Sequence, residues 1–223
     1  MQIQLRTKKF FLRKEKIPWI KMNKKIIDHF EKKDKVIFSV LKKVGPIKKI
    51  KPDSQKNYFS RLCREIIHQQ LAGTICNVIF SRFKELFSSK KITPRKLLKI
   101  PHSKLRKAGL SNAKAKYVKN LAKSIVNKEL NFNNFKNLSD EEITEKLCRV
   151  KGIGKWTSEM FLMFIIGRKD VFSHGDLGLR KAIKKLYKFK KEPTRKQIES
   201  IVNKWRPYRT YGCLILWASV DGK

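Results

Sequence analysis

The sequence has only four cysteines in 223 residues, and they stand far apart. No two of them form a CxxC pair or another metal-ligand spacing, and no close run of four is present. This pattern argues against a zinc site and against an iron–sulfur cluster. We therefore expect four reduced core thiols, namely Cys63, Cys76, Cys148 and Cys213.

Long apolar runs are also missing. The longest, Met160–Gly167, is far shorter than the roughly 20 residues that a transmembrane helix needs. The basic segment Met1–Met22 lacks the apolar stretch of a signal peptide. The sequence therefore predicts no membrane partner.

Acidic residues are scarce relative to basic ones. The chain has 18 Asp and Glu against 55 Lys and Arg, which gives a formal net charge of +37. A charge of this size favours a polyanion as the partner, through phosphate contacts and counterion release. Lysine outnumbers arginine 42 to 13, so the composition drift of an AT-rich genome stays open as an alternative source of the charge.

Strand signals are weak throughout, whereas apolar residues recur with helical spacing between Gly, Pro and Ser/Thr/Asp breaks. The pattern predicts an all-α chain with short connections. The predicted helices are Asn23–Asp34, Lys35–Val44, Gln55–Ala72, Thr74–Phe87, Pro94–Leu98, His102–Ala108, Asn112–Asn127, Asp140–Cys148, Lys155–Ile166, Asp176–Lys188, Thr194–Asn203 and Tyr208–Val220.

Several helix ends carry their own signals. Thr93 precedes a proline at a first helical position, and Ser139 precedes three acidic residues in a first turn. Gly109 is typical of a residue just past a helix C-terminus. We expect residues 1–16 to be a basic extension, open to disorder, and residues 17–223 to form the folded domain.

The segment Leu147–Thr157 reads Leu-Cys-Arg-Val-Lys-Gly-Ile-Gly-Lys-Trp-Thr and lies between two predicted helices. Gly152 and Gly154 allow a tight turn and a close backbone approach. The second helix begins directly after them, so its amide N–H groups and its positive dipole end favour a phosphate. Lys151 and Lys155 add charge there. An ordinary helix–turn–helix corner would give the same pattern.

This hairpin, Val150–Thr157, resembles the helix-hairpin-helix of the base-excision DNA glycosylase superfamily. That superfamily also has an Asp about twenty residues later, and Asp176 matches it. The chain further resembles the DNA-3-methyladenine glycosylase II branch, concerned with alkylation repair. The matching blocks, in order, are Ile66–Ala72, Gly109–Tyr117, Val150–Thr157, Asp170–Arg180, Trp205–Tyr211 and Leu214–Trp217.

The resemblance implies a two-lobed helix-hairpin-helix glycosylase fold with the active-site cleft between the lobes. Two departures stand out. Ser173 occupies a position that is Pro in many members, and Met1–Lys51 is too short and too helical for the β-rich N-terminal domain that some members carry.

Asp176 follows a glycine at a helix start, so an N-cap is its ordinary interpretation. The resemblance implies that it is also catalytic. Cleavage of the N-glycosidic bond develops positive charge on the sugar, which a fixed carboxylate stabilises while it aligns or deprotonates water. One carboxylate is enough for an alkylated purine, because a cationic base leaves without a general acid. The nearby His174 is interpreted as a loop histidine.

The resemblance also implies a base pocket formed by Trp156, Met160 and Trp217, with core packing as the alternative for Met160. An indole attracts a positively charged purine by roughly 0.5–2 kcal/mol. In related bifunctional enzymes the position of Trp156 is a Lys that forms a Schiff base. Lys155 is one residue off and points about 100° away on a helix, so the match implies a monofunctional enzyme.

Gln70 and Leu71 match residues that enter the duplex where the flipped base has left, although Leu71 at a helix end is also compatible with a core anchor. The family hairpin binds a structural Na⁺ or K⁺ through backbone carbonyls, here those of Cys148, Val150 and Ile153. No other cofactor is implied.

The sequence therefore predicts a monofunctional glycosylase that releases 3-methyladenine-type purines from double-stranded DNA. It is expected to be a monomer and to hand its abasic product to an abasic-site endonuclease, in the cytoplasm (nucleoid) of a prokaryote or the nucleus of a eukaryote. Two alternatives remain. One is a non-catalytic helix-hairpin-helix DNA-binding module, which needs the hairpin but not Asp176, Trp156 or Trp217. The other is a bifunctional glycosylase/lyase of the endonuclease III type, which Trp156 and the missing cysteine cluster disfavour. A ribosomal or chromatin protein would explain the charge but not the ordered motifs.

Overall fold

The computed structural model of the chain describes residues 23–45, 47, 49–71, 73–88 and 91–221, and this part of the chain contains helices but no β-strand. The predicted all-α fold is thus confirmed. The described helices are α1 (Lys24–Lys33), α2 (Lys35–Val44), α3 (Tyr58–His68), α4 (Gly73–Glu85), α5 (Pro94–Lys99), α6 (His102–Lys107), α7 (Asn112–Val126), α8 (Asp140–Cys148), α9 (Lys155–Phe161), α10 (Leu177–Leu186), α11 (Arg195–Val202) and α12 (Arg209–Asp221).

The local helix signals act as predicted. Thr93 accepts a hydrogen bond from the Lys96 amide at the start of α5. Ser139 forms a reciprocal capping box with Glu142 at the start of α8. Gly109 has a φ of 101° after α6, where the Leu110 amide bonds back to the Leu105 carbonyl. These ends could be predicted because each is encoded within a few residues.

Two predicted helices differ from the structure. The predicted helix Gln55–Ala72 begins as a short 3₁₀ turn, Gln55–Asn57, and its α-helical part ends at His68. Ala72 lies outside the described residues. The predicted helix Lys155–Ile166 is α-helical only to Phe161 and finishes in a π-helical turn, Leu162–Ile166. Neither change has a Gly or Pro signal within the predicted helix.

The chain forms two compact units. Of the described residues, the first unit contains those up to Lys51 and those from Arg168 onwards. In it α12 packs against both α2 and α10, and α1 packs against α2. Phe30, Ile183 and Tyr211 are among its fully or almost fully buried side chains.

Asp34 joins several elements of the first unit. Its Oδ1 accepts hydrogen bonds from the amides of Val36 and Ile37, so it caps α2. Its Oδ2 accepts from the Tyr187 hydroxyl at 2.6 Å and from Trp205 Nε1 at 2.9 Å. Burial and this bond raise the pKa of Tyr187, which keeps its hydroxyl protonated as a donor. A buried carboxylate is thus paired with four donors, as burial requires.

The second unit is Pro52–Gly167 and contains α3 to α9. Here α7 packs against α3, α5 and α6, while α9 packs against α3 and α8. Leu62, Ile66, Leu121 and Phe161 are completely buried in this unit. The result is a helical framework around the segment between α8 and α9.

The predicted burial of the cysteines is wrong for one of them. Cys63, Cys76 and Cys213 are buried free thiols, but Cys148, the last residue of α8, is exposed. No described helix is long and apolar enough to cross a membrane. The predicted extension, residues 1–16, lies outside the described residues.

Candidate active site

The turn between α8 and α9 is built from six residues, 149–154. Gly152 has a φ of 109°, and a Cβ on it would collide with the ring of Tyr117. Gly154 is the N-cap of α9 and, as glycine, offers no side-chain cap to it. The first N–H groups of α9 have no intrahelical acceptor, and Lys151 and Lys155 are exposed beside them. The geometry suits an anionic group.

Two side chains from elsewhere in the second unit hold this turn. The Gln69 Nε2 donates to the carbonyl of Gly152 and to the hydroxyl of Thr157, both at 3.0 Å. The Asn120 Nδ2 donates to the carbonyl of Lys151 at 3.2 Å. The turn is therefore anchored by its carbonyls, which leaves the backbone N–H groups at the start of α9 to face other partners.

The junction after α3 adopts an uncommon backbone. Gln70 is exposed and has a φ of 58°, which is rare for a residue other than glycine. Leu71 is half-buried, and its amide donates to the His68 carbonyl. The predicted wedge residues Gln70 and Leu71 are thus adjacent and both reach solvent.

Asp176 is the N-cap of α10 and is 7% exposed. Its Oδ1 accepts hydrogen bonds from the Leu179 amide at 2.9 Å and from Trp217 Nε1 at 3.2 Å. The structure therefore brings together two predicted site residues, Asp176 and Trp217. The capping interpretation is correct, and the Trp217 bond adds a constraint that capping does not need.

The loop before Asp176 is clamped by the start of α12. The Asp170 carboxylate accepts from the Arg209 guanidinium, at 2.8 Å from Nε, and from Arg206 at 3.1 Å. The Thr210 hydroxyl donates to the Arg168 carbonyl and accepts from the Val171 amide. The carboxylate of Asp176 thus projects from a loop with a fixed path.

His174 lies beside this loop. Its ring packs edge-to-face against Phe172, and its Nε2 is 3.8 Å from the Glu199 carboxylate. These contacts fit the predicted loop histidine.

Two further predicted site residues, Trp156 and Met160, lie on α9 in the second unit. They are four positions apart and so share one helix face. Trp156 is half-buried, whereas Met160 is completely buried. The burial of Met160 matches the core packing that the sequence left open as its alternative.

The model of the HhH-GPD superfamily of base excision DNA repair proteins matches residues 63–207 of the chain. The chain belongs to this superfamily. The match includes the turn between α8 and α9 and Asp176, so it covers the two features that carried the resemblance to the superfamily. The predicted fold and family are confirmed.

Individual relatives agree with the superfamily assignment. DNA-3-methyladenine glycosylase 1 of Schizosaccharomyces pombe is 30% identical over 180 residues, which cover 80% of this chain and 79% of that protein. YfjP of Bacillus subtilis is 31% identical over 162 residues, or 70% of this chain, and the match spans only 56% of YfjP.

A solved structure of the 3-methyladenine DNA glycosylase Mag1 of the same yeast, in complex with abasic DNA, superposes with a TM-score of 0.79. It is 29% identical, and the match covers 86% of this chain and 95% of that one.

Sequence reasoning missed several residues of this HhH-GPD protein that shape the site. Gln69, Tyr117, Asp170 and Arg209 each lie within a block that carried the family resemblance. Their partners are backbone carbonyls, a glycine or a distant loop. Nothing in residue type or spacing identifies such partners, so only the position within those blocks could have drawn attention to them.

Proposed function

We propose that this HhH-GPD protein is a monofunctional DNA glycosylase that releases alkylated purines of the 3-methyladenine type from double-stranded DNA and leaves an abasic site. The observation that carries the proposal is the fixed carboxylate of Asp176. Two N–H donors hold its Oδ1 in a nearly buried position on a clamped loop. The names of the relatives support the choice of an alkylated purine.

The proposed chemistry needs one negative charge in a fixed place. As the N-glycosidic bond lengthens, positive charge develops on the sugar, and the Asp176 carboxylate stabilises it. The same carboxylate orients or deprotonates the attacking water. An N3- or N7-alkylated purine already carries positive charge, so it departs without a general acid. His174, held between Phe172 and Glu199, is not assigned a catalytic role.

We assign recognition of the flipped base to Trp156 and Trp217, and we assign the completely buried Met160 to core packing. An indole face attracts a cationic purine more strongly than a neutral one, by roughly 0.5–2 kcal/mol. Trp217 also donates to Asp176, so a ring that contacts the base would hold the catalytic carboxylate as well.

DNA binding is assigned to the segment between α8 and α9 and to the junction after α3. Gly152 and Gly154 allow the backbone to approach a phosphate, while Lys151 and Lys155 add charge. Gln70 and Leu71 would fill the gap left by the flipped base, and an apolar wedge offsets part of the cost of unstacking. The exposed Gln70 and half-buried Leu71 are compatible with this role.

The family hairpin implies a structural Na⁺ or K⁺, and the donor set here fits one. Cys148 ends α8, and the last carbonyls of a helix have no intrahelical donor. The Val150 carbonyl accepts from the Ile153 amide and keeps a second lone pair. Carbonyl oxygens suit alkali cations, so Cys148, Val150 and Ile153 would hold the ion and it would stiffen the turn.

The proposal extends to partners. We propose that the protein acts as a monomer and passes its abasic product to an abasic-site endonuclease, in the nucleoid of a prokaryote or the nucleus of a eukaryote.

The decisive experiment is incubation with methylated DNA, followed by identification of the released bases. We expect release of 3-methyladenine-type purines by the wild-type protein. Asp176→Asn should lower the single-turnover rate by roughly 10²–10⁴-fold. Asn keeps an oxygen for both the Leu179 and Trp217 donors and removes only the charge, so DNA binding and the melting temperature should stay unchanged. If Asp176→Asn released bases at the wild-type rate, Asp176 would be only the N-cap of α10.

Borohydride trapping separates the monofunctional enzyme from a glycosylase/lyase. A lyase needs an amine of lowered pKa, and the position that carries it in bifunctional relatives is Trp156 here. We expect an intact strand and no covalent protein–DNA adduct above background. Trapping at a rate that matches base release would assign a lyase step to a lysine of this chain.

A further inference from the structure

We propose that Gln69 and Lys114 are positioning residues for base flipping, which lock the junction Gln69–Leu71 (the wedge junction) to the turn between α8 and α9. When that turn binds a phosphate, the lock fixes where Leu71 enters the duplex. The inference rests on the proposed function, because a wedge matters only to an enzyme that flips bases.

Lys114 holds the upstream side of the wedge junction. Its Nζ donates to the carbonyl of Ile67 at 2.7 Å and to the carbonyl of Gln69 at 2.6 Å. These carbonyls belong to the C-terminal end of α3, where no helical amide follows to satisfy them. A lysine charge at a helix C-terminus is also favoured by the helix dipole. Lys114 therefore caps the C-terminal end of α3.

Gln69 ties the same junction to the turn. Its Nε2 donates to both the Gly152 carbonyl and the Thr157 hydroxyl at 3.0 Å. Gly152 belongs to the turn, and Thr157 belongs to the first turn of α9. One side-chain nitrogen thus joins the turn to the beginning of the helix.

The helix α7 serves as the common support. Lys114, Tyr117 and Asn120 are spaced by three residues, so they lie along one side of α7. Lys114 contacts the wedge junction, Tyr117 packs on Gly152, and Asn120 donates to the Lys151 carbonyl. The wedge junction and the turn are therefore held by adjacent positions of a single fifteen-residue helix.

The backbone of the wedge junction explains why such support is needed. Gln70 has a φ of 58° although it has a side chain. Left-handed backbone at such a residue is sparsely populated and persists when the surrounding contacts over-determine it. The residue before Gln70, Gln69, is held both by its carbonyl, which accepts from Lys114, and by its side chain, which donates to Gly152 and Thr157. These contacts supply that constraint.

The test uses insertion of the wedge rather than base release. A duplex carries a tetrahydrofuran abasic analogue with 2-aminopurine opposite, and wedge insertion unstacks the 2-aminopurine and raises its fluorescence. Leu71→Ala lacks the wedge side chain, so its 2-aminopurine fluorescence serves as the baseline. At saturating protein, the fluorescence rise of Lys114→Met and of Gln69→Ala should be at least roughly threefold smaller than that of the wild-type protein, because small misplacements of a positioned group have large effects. Lys114→Arg, which keeps a charged donor, should restore much of it.

The matched control is Lys116→Met, an exposed lysine on the same helix. It should give the full rise. Affinity for an undamaged duplex should stay within about twofold for the Leu71, Lys114 and Lys116 variants, because their side chains do not contact the phosphate-binding turn. Gln69→Ala loses one anchor of that turn, so its rise is compared only at saturating protein. Loss of the rise only in proportion to lost affinity, or a full rise in Lys114→Met and Gln69→Ala, would overturn the proposal.

A wild-type protein that gives no more rise than Leu71→Ala would also overturn it, since nothing would then need positioning. Release of bases from methylated DNA is measured separately. Failure of the fluorescence test would therefore contradict the positioning proposal without contradicting the proposed glycosylase activity.

Discussion

Asp176 and Trp217 are 41 positions apart in the chain and meet through one hydrogen bond. Gly178, two residues after Asp176, explains how the indole can lie so close. A Cβ on Gly178 would be 3.1 Å from Asp176 Oδ1 and 3.6 Å from Trp217 Nε1. Glycine in a helix costs about 0.5–1 kcal/mol relative to alanine, and its backbone here is ordinary. The missing side chain therefore makes room for the Asp176–Trp217 pair.

This contact predicts an activity defect without a stability defect. Gly178→Ala should slow single-turnover base release by roughly 5- to 50-fold, because the added carbon displaces the carboxylate by a few tenths of an ångström. The melting temperature should be unchanged or higher, since alanine favours the helix. Gly175→Ala is the control: Gly175 precedes Asp176 in the chain, but no residue other than its two chain neighbours lies within 4 Å of its Cβ position. Equal rates for the two variants would remove the role of Gly178.

Single residues also show what the sequence could and could not reveal. Asp176 was predictable because a cap signal and a family motif coincide at one position. The bond to Trp217 was not, since nothing local relates an indole in α12 to the start of α10. Lys114 was hidden among 42 lysines, because its partners are backbone carbonyls, which have no sequence signature.

At the scale of elements, the turn between α8 and α9 uses its two glycines differently. Gly152 is enclosed, since a Cβ there would strike Tyr117, and its φ of 109° strains any other residue. Gly154 has an ordinary φ of −105° and open space around it. One glycine serves the fold, while the other leaves room for a partner.

Substitution should separate the two roles. Gly154→Val should fold with a melting temperature close to wild type and weaken binding to all duplexes alike, because it blocks a phosphate contact that carries no sequence information. Gly152→Val should instead be destabilised by about 2–4 kcal/mol, measured by chemical denaturation. Selective loss of binding to damaged duplexes in Gly154→Val would contradict a phosphate role.

Asp34 makes a comparable prediction for the first unit. Asp34→Ala removes the cap of α2 and leaves Tyr187 and Trp205 without their common acceptor. We expect the free energy of unfolding to fall by about 2–4 kcal/mol, because buried donors lose their partners. Asp28→Ala, an exposed position on α1, should change it by less than about 0.5 kcal/mol. Similar values for both variants would show that the Asp34 pairs add little.

Helix boundaries were predictable where the signal is local and wrong where it is tertiary. Thr93, Ser139 and Gly109 mark ends with their own chemistry, and the structure places the ends there. At the end of α3, by contrast, the carbonyls of Ile67 and Gln69 are bound by Lys114, which lies more than forty residues further on in the chain. The predicted helix Gln55–Ala72 therefore ran through the wedge junction, because no residue within it signals the end at His68.

At the scale of the whole molecule, the +37 charge has two explanations, phosphate contact and composition drift. The structure adds a distinction between lysines. Lys151 and Lys155 flank the amides that begin α9. By contrast, Lys181, Lys184, Lys185 and Lys188 line an open groove beside Phe189, on α10 and just beyond its C-terminal end. Exposed charges more than roughly 10 Å apart are screened in salt, so only lysines that touch phosphate should count in binding.

Salt titration of binding to an undamaged duplex tests this distinction. The slope of log K against log[salt] should be about −0.9 for each phosphate neutralised. Lys151→Gln with Lys155→Gln should make the slope shallower by roughly 1–2, because each lysine sits where the backbone fixes a phosphate. Lys181→Gln with Lys188→Gln removes the same charge from exposed positions of α10 and the residues that follow it, and should leave the slope nearly unchanged. An equal effect of both pairs would mean that binding follows the overall charge. A flat response in the wild-type protein would mean that the lysines reflect composition alone.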